Sequence, residues 1–178
     1  MKRVIIVVGI LVVVVIGMLV ARRMHTKSFS PEAYAEFGEV LSVQYCSPYK
    51  NGREIFGGLV PFDSVWRTGA NEATVFSTNQ DIIFGGIALA KGKYSLWTIP
   101  GKDRWQVILN SEYGQWGDDW RTGVANKDPG RDVLEVEVPM ITTDKVFEQF
   151  TITFEKTVDG ADMVLMWDQT QIVVPIEF

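Results

Sequence analysis

The sequence has almost none of the side chains that metal sites and nucleophilic enzymes use. Its 178 residues include one cysteine and one histidine. A lone cysteine excludes an internal disulfide framework, so it does not identify the redox compartment. The histidine, His25, lies in the basic segment that opens the chain. A Ser–His or Cys–His pair and a zinc site therefore cannot form in the rest of the chain, and we expect neither a metal nor a cofactor.

Basic residues are also scarce beyond the first segment. Residues 1–27 contain five lysines and arginines and no acidic residue, whereas the whole chain has a formal net charge of −5. Residues 28–178 therefore carry −10. An acidic surface repels phosphates, which argues against nucleic acid as a partner.

A long apolar run occupies most of the basic segment. Residues 4–21 are 18 consecutive apolar or glycine residues. As a helix they extend about 27 Å, which just spans a bilayer core. A secretory signal has a shorter apolar region, about 7–15 residues, followed by small residues at the cleavage site. Leu19 occupies a position that cleavage requires to be small, so residues 1–27 are predicted to remain as a transmembrane anchor with basic flanks.

The flanking charges do not decide the orientation of this anchor. Lys2 and Arg3 precede the apolar run, and Arg22, Arg23 and Lys27 follow it. Because cytoplasmic flanks are the more basic ones, this near-equality leaves both orientations open.

After Gly38 apolar and polar residues alternate, which is the period of a β-strand. Turn signals such as Gly85-Gly86 and Asp159-Gly160 separate the alternating segments. Nine strands are predicted, at residues 40–46, 73–78, 81–84, 93–99, 105–110, 133–138, 149–154, 163–167 and 171–176. Strands this short and frequent predict an all-β fold over residues 39–178, an antiparallel β-sandwich of jelly-roll or immunoglobulin-like type.

Residues 28–38 are predicted to link the anchor to this domain. Ser30 followed by Pro31 suits a helix start, with serine as the cap and proline in the first turn. We therefore expect a short helix within residues 31–37.

Two stretches, 47–72 and 111–132, interrupt the strand pattern. Both are long, rich in glycine and polar residues, and contain tryptophan and arginine. Long irregular segments in a compact domain are usually functional or disordered, and the aromatic content argues against disorder. A site is therefore sought in these two loops.

The strongest candidate site lies in the first loop and consists of Trp66, Arg67, Asn71 and Glu72. An indole face beside a guanidinium, an amide and a carboxylate suits a sugar or a carboxylate, through stacking and bidentate hydrogen bonds. The structural alternative is that Arg67 pairs with Glu72, Asn71 caps a turn and Trp66 fills the core.

The tetrapeptide Trp-Arg-Thr-Gly that opens this run recurs in the second loop, which adds Trp120 and Arg121 as candidates. The functional interpretation is two Trp–Arg shelves that face one groove, and the alternative is coincidence. Calcium is a weak further option, because the spacing of the oxygen-bearing residues in this loop matches no standard calcium loop. Those residues are Asp118, Asp119, Asn126, Asp128 and Asp132.

Several runs resemble the domain-of-unknown-function family 2911. They are residues 45–48, 52–62, 65–74, 92–100, 105–110 and 115–117, with Val65-Trp66-Arg67-Thr68-Gly69-Ala70-Asn71-Glu72-Ala73-Thr74 the most specific. The resemblance extends from residue 40 to the C-terminus. It implies a bacterial envelope protein, exported or membrane-anchored, without an assigned activity. The one departure is Cys46, where the family pattern has a polar residue or arginine.

These observations favour a non-enzymatic binding or interaction module that is held in the cytoplasmic membrane by residues 4–21, with its domain in the periplasm. One alternative is an accessory single-span subunit of a membrane complex, in which Gly9 and Gly17 give the helix a small-residue face. A second is a carboxylate-dependent glycan hydrolase, since five acidic residues fall in the loops. They are Glu54, Glu72, Glu112, Asp118 and Asp119.

Overall fold

An apolar helix leads directly into a sheet of antiparallel strands. The computed structural model of the chain describes residues 2–178, with side chains at positions 9–21 and 25–178. Helix α1 covers Lys2–Phe29. Its part Gly9–Phe29 is long and apolar enough to cross a membrane, and the side chains of residues 9–21 are exposed. Exposed apolar side chains on such a helix are what a bilayer span requires.

Nine strands follow α1, and they form one open sheet with the order β1-β2-β3-β6-β7-β8-β9-β4-β5. Every pairing in the sheet is antiparallel. The strands are β1 (Glu32–Phe37), β2 (Leu41–Cys46), β3 (Thr74–Thr78), β4 (Ile82–Phe84), β5 (Ile87–Leu89), β6 (Gly92–Pro100), β7 (Arg104–Asn110), β8 (Asp132–Lys156) and β9 (Gly160–Glu177).

Strand β8 joins the two parts of this sheet. Its first part pairs with β7 up to Pro139, and its second part pairs with β9 from Met140 onward. The register of the β8–β9 pairing shifts twice, between Thr142 and Thr151. Such irregularities bend a strand, so β8 contributes to both parts of a strongly curved sheet.

Curvature brings the two ends of the sheet face to face across an aromatic core. Tyr45 of β2 contacts Phe150 of β8, with ring centroids 5.7 Å apart, and Phe76 of β3 contacts Phe84 of β4 at 5.3 Å. Inward residues alternate with outward ones along β2 and β3, as one buried sheet face requires. The all-β antiparallel class and the N-terminal apolar helix are therefore confirmed, while the sandwich type stays a prediction.

The predicted helix after Ser30 is wrong, because Glu32–Phe37 forms the edge strand β1. Its inward positions Ala33, Ala35 and Phe37 recur every second residue, and Ala35 is buried. This is strand periodicity, and pairing with β2 along its whole length overrides the helix-start signal of Ser30-Pro31.

The nine predicted strands correspond to seven in the structure. Two pairs of predicted strands, 133–138 with 149–154 and 163–167 with 171–176, are parts of β8 and β9. Strands β1 and β5 were not predicted. Only Ser30 and Pro31 separate α1 from β1, so the residues predicted as a linker belong mostly to the sheet.

Candidate functional site

The two irregular loops lie against each other. Ala73 N donates to Gln115 O at 3.1 Å, and Gly117 N donates to Asn71 O at 2.8 Å. These bonds form a short antiparallel bridge between Glu72 and Trp116. The predicted site is thus built from both loops.

Trp66 belongs to the core. It exchanges two backbone hydrogen bonds with Thr98 of β6, at 2.7 and 3.0 Å, which adds one residue of the loop to the sheet. Its indole Nε1 donates to Gly69 O at 3.0 Å, and its ring stacks on Trp167 with centroids 5.9 Å apart. Because Trp66 is only 7% exposed, its ring cannot serve as an open stacking surface.

Arg67 pairs with Asp118 of the second loop. Burial lowers the pKa of the Arg67 guanidinium, and Asp118 supplies the opposite charge beside it. Gly117 packs tightly against the same side chain, since a Cβ there would lie 2.0 Å from Arg67 Cδ. Arg67 therefore joins the two loops by charge and by close packing.

The predicted Arg67–Glu72 pair is absent from the ion pairs of the described residues. Glu72 Oε1 instead lies 3.3 Å from Lys27 Nζ near the end of α1, and its Oε2 accepts from the Cys46 thiol at 3.6 Å. The carboxylate thus ties the helix to the sheet. Burial raises the pKa of the Cys46 thiol, which keeps it in the neutral form.

Asn71 occupies a left-handed turn position with φ of 61°. Its side chain is 8% exposed, and its amide N–H interacts with the Cys46 thiol closely enough to lower the thiol pKa, although Nδ2 forms no hydrogen bond of ordinary geometry. Asparagine tolerates this backbone conformation better than most residues. A turn role explains the backbone of Asn71, and the Cys46 thiol is a weak partner of its amide.

Trp120 and Arg121 lie apart, on an exposed turn of the second loop. Trp120 is 82% exposed, and the Arg121 guanidinium stacks 4.8 Å from its ring centroid. Asp119 caps the turn by accepting from the backbone N–H groups of Arg121 and Thr122, both at 2.9 Å, and these bonds lower its pKa. With Trp66 buried and Trp120 exposed, the two Trp–Arg pairs do not form matching shelves.

A cavity of about 530 Å³ lies between the end of α1 and the first loop. Four side-chain polar atoms of the described residues are buried without a hydrogen-bond partner, and three belong to residues that line this cavity. They are Arg67 Nε, Asn71 Nδ2 and Trp167 Nε1. All three are N–H donors that are buried from solvent, so they lie within the wall of the cavity and not on its surface.

Other cavities of the described chain lack this feature. A larger one, of about 730 Å³, lies at the β4–β5 edge, but none of the unpartnered donors lines it. Within the described residues, no group of three or more His, Cys, Asp and Glu side chains is placed to hold a metal ion. The aspartates considered for calcium have local protein partners, for example Lys127 for Asp132.

The residues around this cavity differ from the predicted site by two additions and three omissions. Trp167 and Asp118 join Arg67 and Asn71 around the cavity, and Trp66 forms part of its wall. The sequence predicts Trp167 only as a residue of a strand. Its position beside the cavity depends on the curvature of that strand, and the alternation of apolar and polar residues does not report curvature. Glu72, Trp120 and Arg121 do not line this cavity.

Comparison with known proteins identifies the chain at the family level. No significant match is found among curated proteins or among solved structures. The profile of one family, described as Protein of unknown function (DUF2911), matches residues 30–176, which include the whole sheet except Glu177 and exclude α1. The chain therefore belongs to the family of proteins of unknown function DUF2911.

Proposed function

We propose that the protein is a membrane-anchored binding module whose ligand occupies the cavity between the end of α1 and the first loop. The observation that carries the proposal is that three residues of the cavity wall, Arg67, Asn71 and Trp167, have buried side-chain N–H donors without an ordinary hydrogen-bond partner. A buried donor without an acceptor costs about 1–3 kcal/mol. A ligand that displaces part of the wall and accepts hydrogen bonds from these groups offsets that cost.

The arrangement of carboxylates favours binding over glycan hydrolysis. Hydrolysis of a glycosidic bond uses two carboxyl groups about 5–10 Å apart on either side of one sugar. Of the five loop acids, only Asp118 lines the donor-lined cavity, where Arg67 engages it. Glu72 and Glu54 line two other cavities.

The location we propose is the cytoplasmic membrane, with the domain in the periplasm. The exposed apolar surface of α1 supports the membrane part. The family resemblance, which implies exported or anchored bacterial envelope proteins, supports the orientation. An accessory role in a membrane complex is the alternative, and the same exposed helix supports it. Purification in mild detergent separates the two, because only an accessory subunit retains a stoichiometric membrane-protein partner.

Ligand release from natively purified protein tests the binding role. The full chain is purified from its own membranes in mild detergent, and bound small molecules are extracted and identified by mass spectrometry. Asn71→Asp replaces the amide donors by a carboxylate of similar shape, and Arg121→Ala removes the matched arginine of the second Trp-Arg-Thr-Gly copy, which does not line the cavity.

We expect a retained molecule with wild type and Arg121→Ala that is depleted at least about tenfold with Asn71→Asp, since a hydrogen bond to a charged group contributes about 1.5–3 kcal/mol. If all three proteins yield the same extract, the cavity is not a binding site and the proposed function fails.

A further inference from the structure

We propose that the cavity binds a small organic acid, whose carboxylate pairs with Arg53 and whose apolar body lies against the rim. This inference rests on the proposed function and names the class of ligand. The carboxylate contact needs no movement of the wall, because the Arg53 side chain is exposed and lines the cavity.

Arg53 is held in place by backbone carbonyls. Its Nε donates to Lys50 O at 2.9 Å, and its Nη2 donates to Tyr49 O. These bonds use two of the five N–H groups of a guanidinium and leave three. Among the ion pairs of the described residues, Arg53 has no carboxylate partner. The guanidinium is thus oriented without being neutralised, and two parallel N–H groups remain for the two oxygen atoms of a carboxylate.

The lining charge distinguishes this cavity from others in the domain. Arg67 and Asp118 in its wall neutralise each other, so Arg53 gives the lining a net charge of +1. The cavities that Glu54 and Glu72 line each have two acids against one lysine, or −1, and the largest cavity has three acids and no basic residue, or −3. A domain that carries −10 over residues 28–178 therefore attracts an anion here in preference to those cavities.

A carboxylate also matches this charge better than a phosphate monoester does. A carboxylate has one negative charge, whereas a phosphate monoester carries about −1.5 to −2 near neutral pH. One unpaired guanidinium neutralises the first and not the second.

The rim of the cavity favours an apolar ligand body. Phe29, Leu59 and Val65 line the cavity and are 60%, 47% and 36% exposed. Apolar side chains around one charged group are typical of pockets for small organic molecules, and the volume of about 530 Å³ lies in the usual range. An apolar body covers these side chains, whereas an inorganic anion gains nothing from them.

Equilibrium dialysis tests the ligand class with the full chain in phosphatidylcholine nanodiscs and octanoate as the probe. Octanol is the neutral molecule with a matching tail, and octylammonium is the cationic one. Binding to empty discs is subtracted. Wild type is expected to bind octanoate about tenfold or more tightly than octanol, and octylammonium no more tightly than octanol. Equal binding of the three probes, or a preference for octylammonium, overturns the inference.

Two pairs of variants locate the contacts. Arg53→Gln is expected to abolish the preference for octanoate over octanol, whereas Arg121→Gln, at an exposed arginine outside the cavity, keeps it. Leu59→Ser is expected to weaken the binding of both probes several-fold, whereas Val158→Ser, at an exposed valine outside the cavity, leaves it unchanged. Equal losses within either pair show unspecific attraction to the surface and overturn the inference. Melting temperatures verify folding, and the wild-type preference among the three probes decides the matter if Arg53→Gln does not fold.

Two further results separate this inference from its alternatives. Tighter binding of octyl phosphate than of octanoate assigns the cavity to phosphates and overturns the carboxylate. A molecule without an acid group that is extracted from native protein and depleted with Asn71→Asp also overturns it, while the binding function stands.

Discussion

At the scale of single residues, Arg67 has a different partner from the one its sequence neighbours suggest. Its guanidinium pairs with Asp118, 51 positions along the chain and in the other loop, while Glu72 lies beside Lys27. The sequence run that resembles the family most specifically thus contributes to two separate contacts. The Arg67 contact joins the two loops, and the Glu72 contact holds the end of α1.

We predict that Arg67→Ala lowers the free energy of unfolding by about 1–3 kcal/mol, because it strands a partly buried carboxylate. Urea unfolding of residues 30–178 measures the effect. Asp118→Asn is expected to couple strongly with Arg67→Ala, whereas Glu72→Gln is expected to be additive with it. Coupling to Glu72 in place of Asp118 would contradict the ion pair described above.

Cys46 gives a second prediction at this scale. Its thiol is buried and its pKa is raised above the ordinary value near 9, with burial the largest cause. Iodoacetamide at pH 8 is therefore expected to leave the folded protein unmodified and to alkylate it after unfolding in guanidinium.

The sign of the pH dependence follows from the same shift. A raised thiol pKa stabilises the fold fully below the unfolded pKa, and the contribution disappears as the pH rises through the folded value. Stability should therefore fall in the alkaline range at and above about pH 9, and Cys46→Ala should reduce that part of the fall. Rapid alkylation of the native protein would show that the thiol is accessible.

At the scale of elements, β1 shows how far local signals can be trusted. Its inward residues Ala33, Ala35 and Phe37 alternate with outward residues, and a period of two was visible in the sequence. The preceding Ser30-Pro31 predicts a helix start instead, and that prediction is wrong. The strand forms because β2, on the other side of the turn at Gly38, pairs with all six residues of β1.

We predict that Ala35→Glu destabilises the domain by about 2 kcal/mol or more, because it forces a charge into the core face of β1. The matched control is Glu36→Gln on the outward face, which is expected to change stability by less than about 0.5 kcal/mol. Thermal melts of both variants test the strand assignment. Equal effects would indicate that the two positions are not on opposite faces.

The strands and loops were predictable to different degrees. The predicted bounds of β2, β3, β6 and β7 agree with the structure to within one residue at each end. Strand β5 has only three residues and gives too little pattern to recognise. The cavity was unpredictable, because Arg67, Asn71 and Trp167 meet only through the contact between loops and the curvature of β8 and β9.

At the scale of the whole molecule, orientation in the membrane is the first property to test. We predict that protease added to spheroplasts digests the domain and leaves a short membrane-bound fragment that contains α1. The reason is the periplasmic location proposed above, since the flanking charges do not decide it. Complete protection in intact spheroplasts, lost on lysis, would reverse the orientation.

We also predict that residues 30–178 fold on their own without metal or disulfide. The buried core of large aromatic and aliphatic side chains, such as Trp97, Trp167, Phe76 and Phe150, lies entirely within this range. Thermal melts with and without a chelator are expected to coincide. A decrease of several degrees with chelator would revive the aspartate-rich second loop as a calcium site.

The direct junction between α1 and β1 has a mechanical consequence. A force along the helix axis enters the domain at Ser30 and Pro31, the open end of the β1–β2 hairpin whose turn lies at the other end. Antiparallel bonds loaded from the open end break one after another rather than all together. The first to break is the bond from Ser47 N to Pro31 O, 2.8 Å long, reinforced by Lys27 with Glu32 and Glu72. Tension between the membrane and a partner of the domain would therefore peel away the edge strand, together with the end of α1 that lines the cavity, before the core yields.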